Sequence, residues 1–173
     1  MPQATYIGID PGANGGAAAI QGSAVTTFKF AKSTSDGQWQ WLAQWIGEPD
    51  VYVLIEQQTA RPTWIPDHQN GGMRQTVLAS TVMLYGSYRD LRTMALCAAL
   101  DFRELLPHVW QAGMLLKRPK GQKDHQWKGT LKAVALSLFP TVQATLWNSD
   151  ALLLAAYCQQ LVEDQQWVSV KSD

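Results

Sequence analysis

A chain of 173 residues suits one domain with a sizeable core, and an apolar content of 46% excludes a disordered protein. Fourteen Lys and Arg balance fourteen Asp and Glu, so a net charge of zero gives no support to a polyanion partner, and any basic surface has to be local. No apolar run approaches membrane-spanning length and no secretory signal opens the chain, so a soluble, cytoplasmic protein is expected.

Tyr6-Ile7-Gly8-Ile9-Asp10-Pro11-Gly12 carries an apolar run to one aspartate, and glycines then turn the chain into a second apolar run, Ala17 to Ile20. The pattern predicts a buried strand, a tight turn and an antiparallel strand. Asp10 would sit beside the turn, where a carboxylate is costly to bury without a positive partner. A metal ion is one such partner. A turn aspartate bonding its own backbone, which Asp-Pro-Gly favours, is the other reading, and the stretch alone leaves both open. Val25 to Phe30 adds a third antiparallel strand. Ser35 or Asp36 caps a helix to about Ile46, whose Trp39, Trp41, Leu42 and Trp45 form a core-facing stripe at helical spacing.

Val51 to Ile55 is nearly all apolar, which suits a central strand covered on both faces, and it ends in Glu56-Gln57-Gln58. The polar segment Thr59 to Gly72 holds Arg61, Trp64, Asp67 and His68. Met73 to Leu100 reads as one long helix with Gly86 near its middle. Phe102 to Leu106 reads as a short strand and Val109 to Leu116 as a short helix. Lys117 to Asp124 is a turn-rich basic loop, followed by a helix from about His125 to Leu138 that ends before Pro140. Asn148 or Ser149 caps a final helix to about Gln165. Cys97 and Cys158 lie in apolar, helix-like runs and read as reduced core residues, and neither forms a zinc signature with His68 or His125. The expected fold is α/β over residues 1–173: a mixed sheet, three antiparallel strands followed by parallel ones, with helices on both faces.

Three acids occupy similar places in this pattern. Asp10 is at the end of the first strand, Glu56 ends the fourth, and Asp150 heads the small, apolar run Ala151-Leu152-Leu153-Leu154 of the final helix. A helix packing that run on the sheet aims Asp150 toward the strand ends. Hard divalent cations such as Mg²⁺ choose oxygen ligands, so a few carboxylates and substrate phosphate suffice to bind them. The three acids are the minimum kit for metal-assisted phosphodiester hydrolysis.

The chain resembles the RuvC family of Holliday-junction resolvases, within the RNase H-like superfamily, as a bacterial or bacteriophage member would. The matching residues are Gly8-Ile9-Asp10-Pro11-Gly12, Ile55-Glu56-Gln57, the helix with Gly86, the lysine-containing loop before the helix that ends at Pro140, and Ser149-Asp150-Ala151-Leu152. They follow the family order over nearly the full chain. The resemblance implies Asp10, Glu56 and Asp150 as catalytic carboxylates binding Mg²⁺, with Mn²⁺ as a substitute. It also implies a homodimer, joined through the helix from Met73, that nicks two opposing strands of a four-way junction to leave 5′-phosphate and 3′-hydroxyl ends.

The chain departs from the family pattern at two points. The usual fourth metal-site residue, three positions before the last aspartate, is here Trp147, which cannot coordinate a metal, followed by Asn148; either the Asn148 amide oxygen serves in its place or three carboxylates and water suffice. A lysine common before the basic loop is missing, since Val109 is followed by Trp110; Lys117, Lys120 and Lys123 are candidates to take over.

Lys117, Arg118, Lys120, Lys123, Lys128 and Lys132 share a short interval with one acid, Asp124. Set between the matching motifs, this concentration suits contacts to backbone phosphates. Arg61 and Trp64, after Glu56, are further candidates. Trp64 either stacks on a base unpaired at the junction centre or packs under its loop, and the sequence leaves both open. The competing functions are a junction-binding protein that does not cleave, and an RNase H-like nuclease acting on RNA or flaps.

Overall fold

The computed structural model describes residues 3–12, 14–59, 62–66 and 71–168. Strand β1 (Thr5–Asp10) is followed by β2 (Gly16–Gln21) and β3 (Ala24–Lys29), which form the expected antiparallel meander. Helix α1 (Ser35–Ala43) leads to β4 (Val51–Glu56), which lies parallel to β1 with Ile9 opposite Ile55. Strand β7 (Asp101–Leu105) is parallel to β4 and completes a five-stranded sheet in the order β3-β2-β1-β4-β7. The mixed sheet with helices packed on it is the architecture read from the sequence.

Apolar residues on the two faces of the sheet make two cores. On one face Ala18, Ile20 and Leu54 pack against α3 (Pro107–Gly113), α4 (Asp124–Leu138) and α5 (Ser149–Glu163) through Trp110, Leu131 and Leu152 to Leu154. On the other, Ile7, Ile9, Val53 and Ile55 meet Leu42 of α1 and Tyr88, Leu91 and Ala95 of α2 (Ala79–Cys97). Helix α5 lies very close to β1. A Cβ on Gly8 would fall 2.2 Å from the Ala151 carbonyl oxygen and 2.3 Å from the Ala155 nitrogen, so only glycine lets the helix backbone settle on the strand.

The stretch expected to be one helix from Met73 is divided. Residues 73–76 form strand β6 (Met73–Thr76), paired antiparallel with β5 (Thr63–Pro66) in a separate hairpin, and α2 starts only at Ala79. Gly71 and Gly72, at φ 62° and 135°, turn the chain into β6, and Leu78 is still extended at ψ 144°. Helix α1 is capped by the Thr34 side chain, which accepts from Gly37 N, and ends three residues before Ile46. Of the two cysteines, Cys158 is buried as expected, but Cys97 is exposed at the end of α2. No described helix is long and apolar enough to cross a membrane.

Candidate metal and nucleic-acid site

Strands β1 and β4 run side by side and end together, which sets Asp10 beside Glu56 at the carboxyl end of the two central strands. The close seat of α5 on Gly8 brings Asp150, in the first turn of that helix, to the same end. From α4, one turn in, the Lys128 ammonium reaches the Asp150 carboxylate as a hydrogen-bonded ion pair. Asp10, Glu56, Asp150 and Lys128 therefore form one charged cluster. A cleft of about 280 Å³ opens over it, lined by Glu56, Gln111, Arg118, Asp124, Lys128 and Asp150 among others.

The electrostatics match this grouping. Burial, then the Asp150 charge, pushes the Asp10 carboxyl above its ordinary range, against the pull of Lys128 and of the Gly12 amide, which donates to Oδ1 at 3.0 Å. Asp10 thus bonds its own turn, as one reading of that residue has it, and lies in the acid cluster as well. Burial, then Asp10 and Asp150, pushes Glu56 up to about 8. Burial pulls on Lys128 in the opposite sense, but the three carboxylates more than reverse it and its pKa is raised.

Glu56 is held by two neutral donors. The Trp110 indole donates to Oε2 at 2.9 Å from a fully buried position, and the Gln58 amide donates to Oε1 at 2.8 Å. Nothing in the sequence marks this clamp, because it depends on α3 folding back over the end of β4. Trp110 stands out in the sequence only as the residue found where a lysine is absent.

Among the described residues, no group of three or more His, Cys, Asp and Glu side chains is arranged to hold a metal ion, so the three acids are gathered but not closed around one point. The donor set itself suits a hard cation: three carboxylates, no sulfur or imidazole, and a buried Asp150 Oδ1 with no hydrogen-bond partner. Asn148 does not belong to that set. Its Oδ1 accepts from both the amide and the hydroxyl of Thr145, at 2.6 and 3.0 Å, and its Nδ2 donates to the Gln143 carbonyl. Both lone pairs of the amide oxygen are engaged, and Asn148 ties down the loop before α5 rather than offering a ligand.

The basic residues separate by position. Lys117, Lys120 and Lys123 are exposed on the loop before α4. Arg118 lies at the cleft, where it pairs with Asp124 at 2.6 Å and donates to the Gln122 carbonyl. Lys128, counted with the loop on sequence grounds, belongs to the acid cluster instead. It is the lysine that enters the site, in place of the three loop candidates. Trp64 projects from β5 with 59% of its surface exposed and is not packed beneath its segment. Arg61, Asp67 and His68 lie outside the described residues.

The fold is similar to that of solved structures that include two of one bacterial protein. The first, of Thermus thermophilus RuvC, superposes with a TM-score of 0.54 at 14% identity, covering 96% of this chain and 99% of that one. The second, T. thermophilus RuvC in complex with a Holliday junction substrate, gives 0.55 at 12% identity over the same shares of each chain. The fold is RuvC-like. No family model and no curated protein matches the sequence, so the likeness to RuvC lies in the architecture.

Proposed function

We propose that this protein is a metal-dependent endonuclease that resolves Holliday junctions and related branched DNA by paired, symmetric nicks. The observation that carries the reading is the convergence of Asp10, Glu56 and Asp150 at one end of the central strands, with Lys128 among them, in a RuvC-like fold. That the RuvC relative was captured with a Holliday junction substrate supports branched DNA as the ligand.

Asp10, Glu56 and Asp150 would hold Mg²⁺, or Mn²⁺ in its place, and such an ion supplies an activated water and neutralises charge at the phosphate. The chain's own groups do the rest. Trp110 and Gln58 fix the Glu56 carboxylate. The Lys128 ammonium stabilises negative charge developing on the scissile phosphate. Lys117, Arg118, Lys120 and Lys123 take backbone phosphates leading to the cleft, and Trp64, with Arg61 nearby in sequence, meets unpaired bases. Two copies, joined through the exposed apolar residues of α2, present two sites to two strands of a four-way junction. A cytoplasmic setting, in a bacterial cell or the host of a virus, fits that substrate.

The test is incubation with a mobile synthetic four-way junction, with and without Mg²⁺, mapped on both strand pairs. Wild type nicks opposing strands only with metal, and Asp10→Asn and Glu56→Gln lower nicking by about 100-fold or more while junction binding survives. Equal cleavage by all three proteins in Mg²⁺ removes the assignment. One observation favours a second reading, binding without cleavage: Lys128 already neutralises Asp150 and the acids are not closed around a cation. A pure binder shifts junction mobility identically in EDTA and Mg²⁺ and never yields a nick.

A further inference from the structure

The register of the first three strands puts Asp10, Gly16 and Lys29 in one row, since Asp10 pairs with Gly16 and Gly16 with Lys29. Directly paired residues project from the same face of a sheet, so Lys29 shares the face of Asp10 at a distance of two strands, about 9–10 Å. Gly16 adds no side chain to the row, and the Trp147 indole covers it. A Cβ on Gly16 would meet Trp147 Cζ3 at 2.9 Å and Cε3 at 3.0 Å. The Lys29 ammonium lies 5.7 Å from the centre of the Trp147 ring, within the range of a cation–π contact. Lys29 has no ion-pair partner among the described residues, although an acid cluster lies along its own row.

We propose that Lys29, seated on Trp147, is a phosphate-binding subsite for the DNA strand on the β3 flank of the acid cluster. The proposal rests on the nuclease reading above and extends it. The basic loop reaches the acids from the side of β4 and α3, so it serves only one direction of a strand crossing the cleft. A phosphodiester chain continues on the other side as well, and there the first cation in the register is Lys29. The indole keeps that cation apart from Asp10 and aimed at solvent, available to a phosphate rather than bound to the acid. Trp147 is the positioning residue and Lys29 the contact.

The experiment measures four-way junction binding by fluorescence anisotropy in EDTA, over a range of salt, with the full chain. Lys29→Gln makes the slope of log affinity against log salt shallower by about 0.9 and raises Kd about five- to tenfold near 0.1 M salt, as loss of one phosphate contact requires. Lys29→Arg keeps wild-type binding. Trp147→Leu, which retains the charge but removes its seat, raises Kd about two- to fivefold. Lys32→Gln, an exposed lysine just beyond β3, changes neither quantity, which separates a subsite from a loss of general positive charge. Unchanged slope and Kd in Lys29→Gln, or an equal loss in Lys32→Gln, overturns the subsite. If wild type nicks the junction in Mg²⁺ while Lys29→Gln binds normally, the nuclease reading stands and the subsite falls. A wild type that binds no junction removes both.

Discussion

The Glu56 carboxylate accepts from the Trp110 indole at 2.9 Å and the Gln58 amide at 2.8 Å, in a place where burial and two neighbouring acids oppose its charge. Trp110→Phe keeps the ring in the core and removes only the N–H. It should cost about 1–3 kcal/mol in urea unfolding, because a buried acceptor loses its partner, and on the nuclease proposal cut nicking at least tenfold by freeing the carboxylate to turn. Unchanged nicking would show that the indole only fills space. The raised pKa of Glu56 has its own consequence for the metal-free protein. Its folded-state value is about 8 against 4.5 for the free side chain, so the native state binds the extra proton between those limits. The stability this contributes is full below the lower value and is lost as pH rises toward the upper one. Asp10 acts in the same direction. In EDTA the Tm should therefore fall as pH is raised from 4.5 toward 8, and Glu56→Gln should flatten that fall; equal slopes would contradict it. The acids themselves were legible in the sequence, because two close apolar strand runs and the third opens an apolar helix. Their clamps and the lysine among them were not, since bonds from 56 to 110 and from 128 to 150 depend on helices returning over the strand ends.

At the scale of elements, everything depends on how deeply α5 settles on β1. Gly8→Ala would press a methyl group into the Ala151 carbonyl and the Ala155 amide, both backbone groups that cannot rotate away. The helix would have to lift, loosening Leu152, Leu153 and Leu154 and withdrawing Asp150 from its partners. A loss of about 3 kcal/mol or more in urea unfolding is expected, with nicking falling further than stability alone explains. A near-neutral effect on both would mean that the helix has slack. The alternating and continuous apolar runs made the five-stranded sheet legible in advance. The β5–β6 hairpin was not. Met73, Val77 and Leu78 run into α2 with an apolar pattern that also fits a helix, and β6 becomes a strand only because residues 63–66 come back to pair with it. Such pairing across a turn leaves little trace in short polar segments containing Pro62 and Pro66.

At the scale of the molecule, the two cores leave apolar residues of α2 uncovered. Val82 and Met83 of α2 are exposed, Met83 by 71%, with Tyr85 beside them. On the dimer proposal, Val82→Asp with Met83→Glu should convert the protein to a monomer in light scattering and turn paired nicks into single, unmatched ones. Wild type already monomeric at nicking concentrations would refute it. The overall architecture was readable from element order alone, and the resemblance already pointed to this helix as the surface joining two copies, with its start placed six residues too early.

On the proposed reading, the docking of α5 also sets when the site is complete. The third carboxylate follows the other two in the chain, and it takes its place only once α5 has closed over the first strand. A nascent or truncated chain lacking that helix holds two acids and no complete site. On the proposed reading, the genome around the ribosome is protected from the enzyme by the order of its own synthesis.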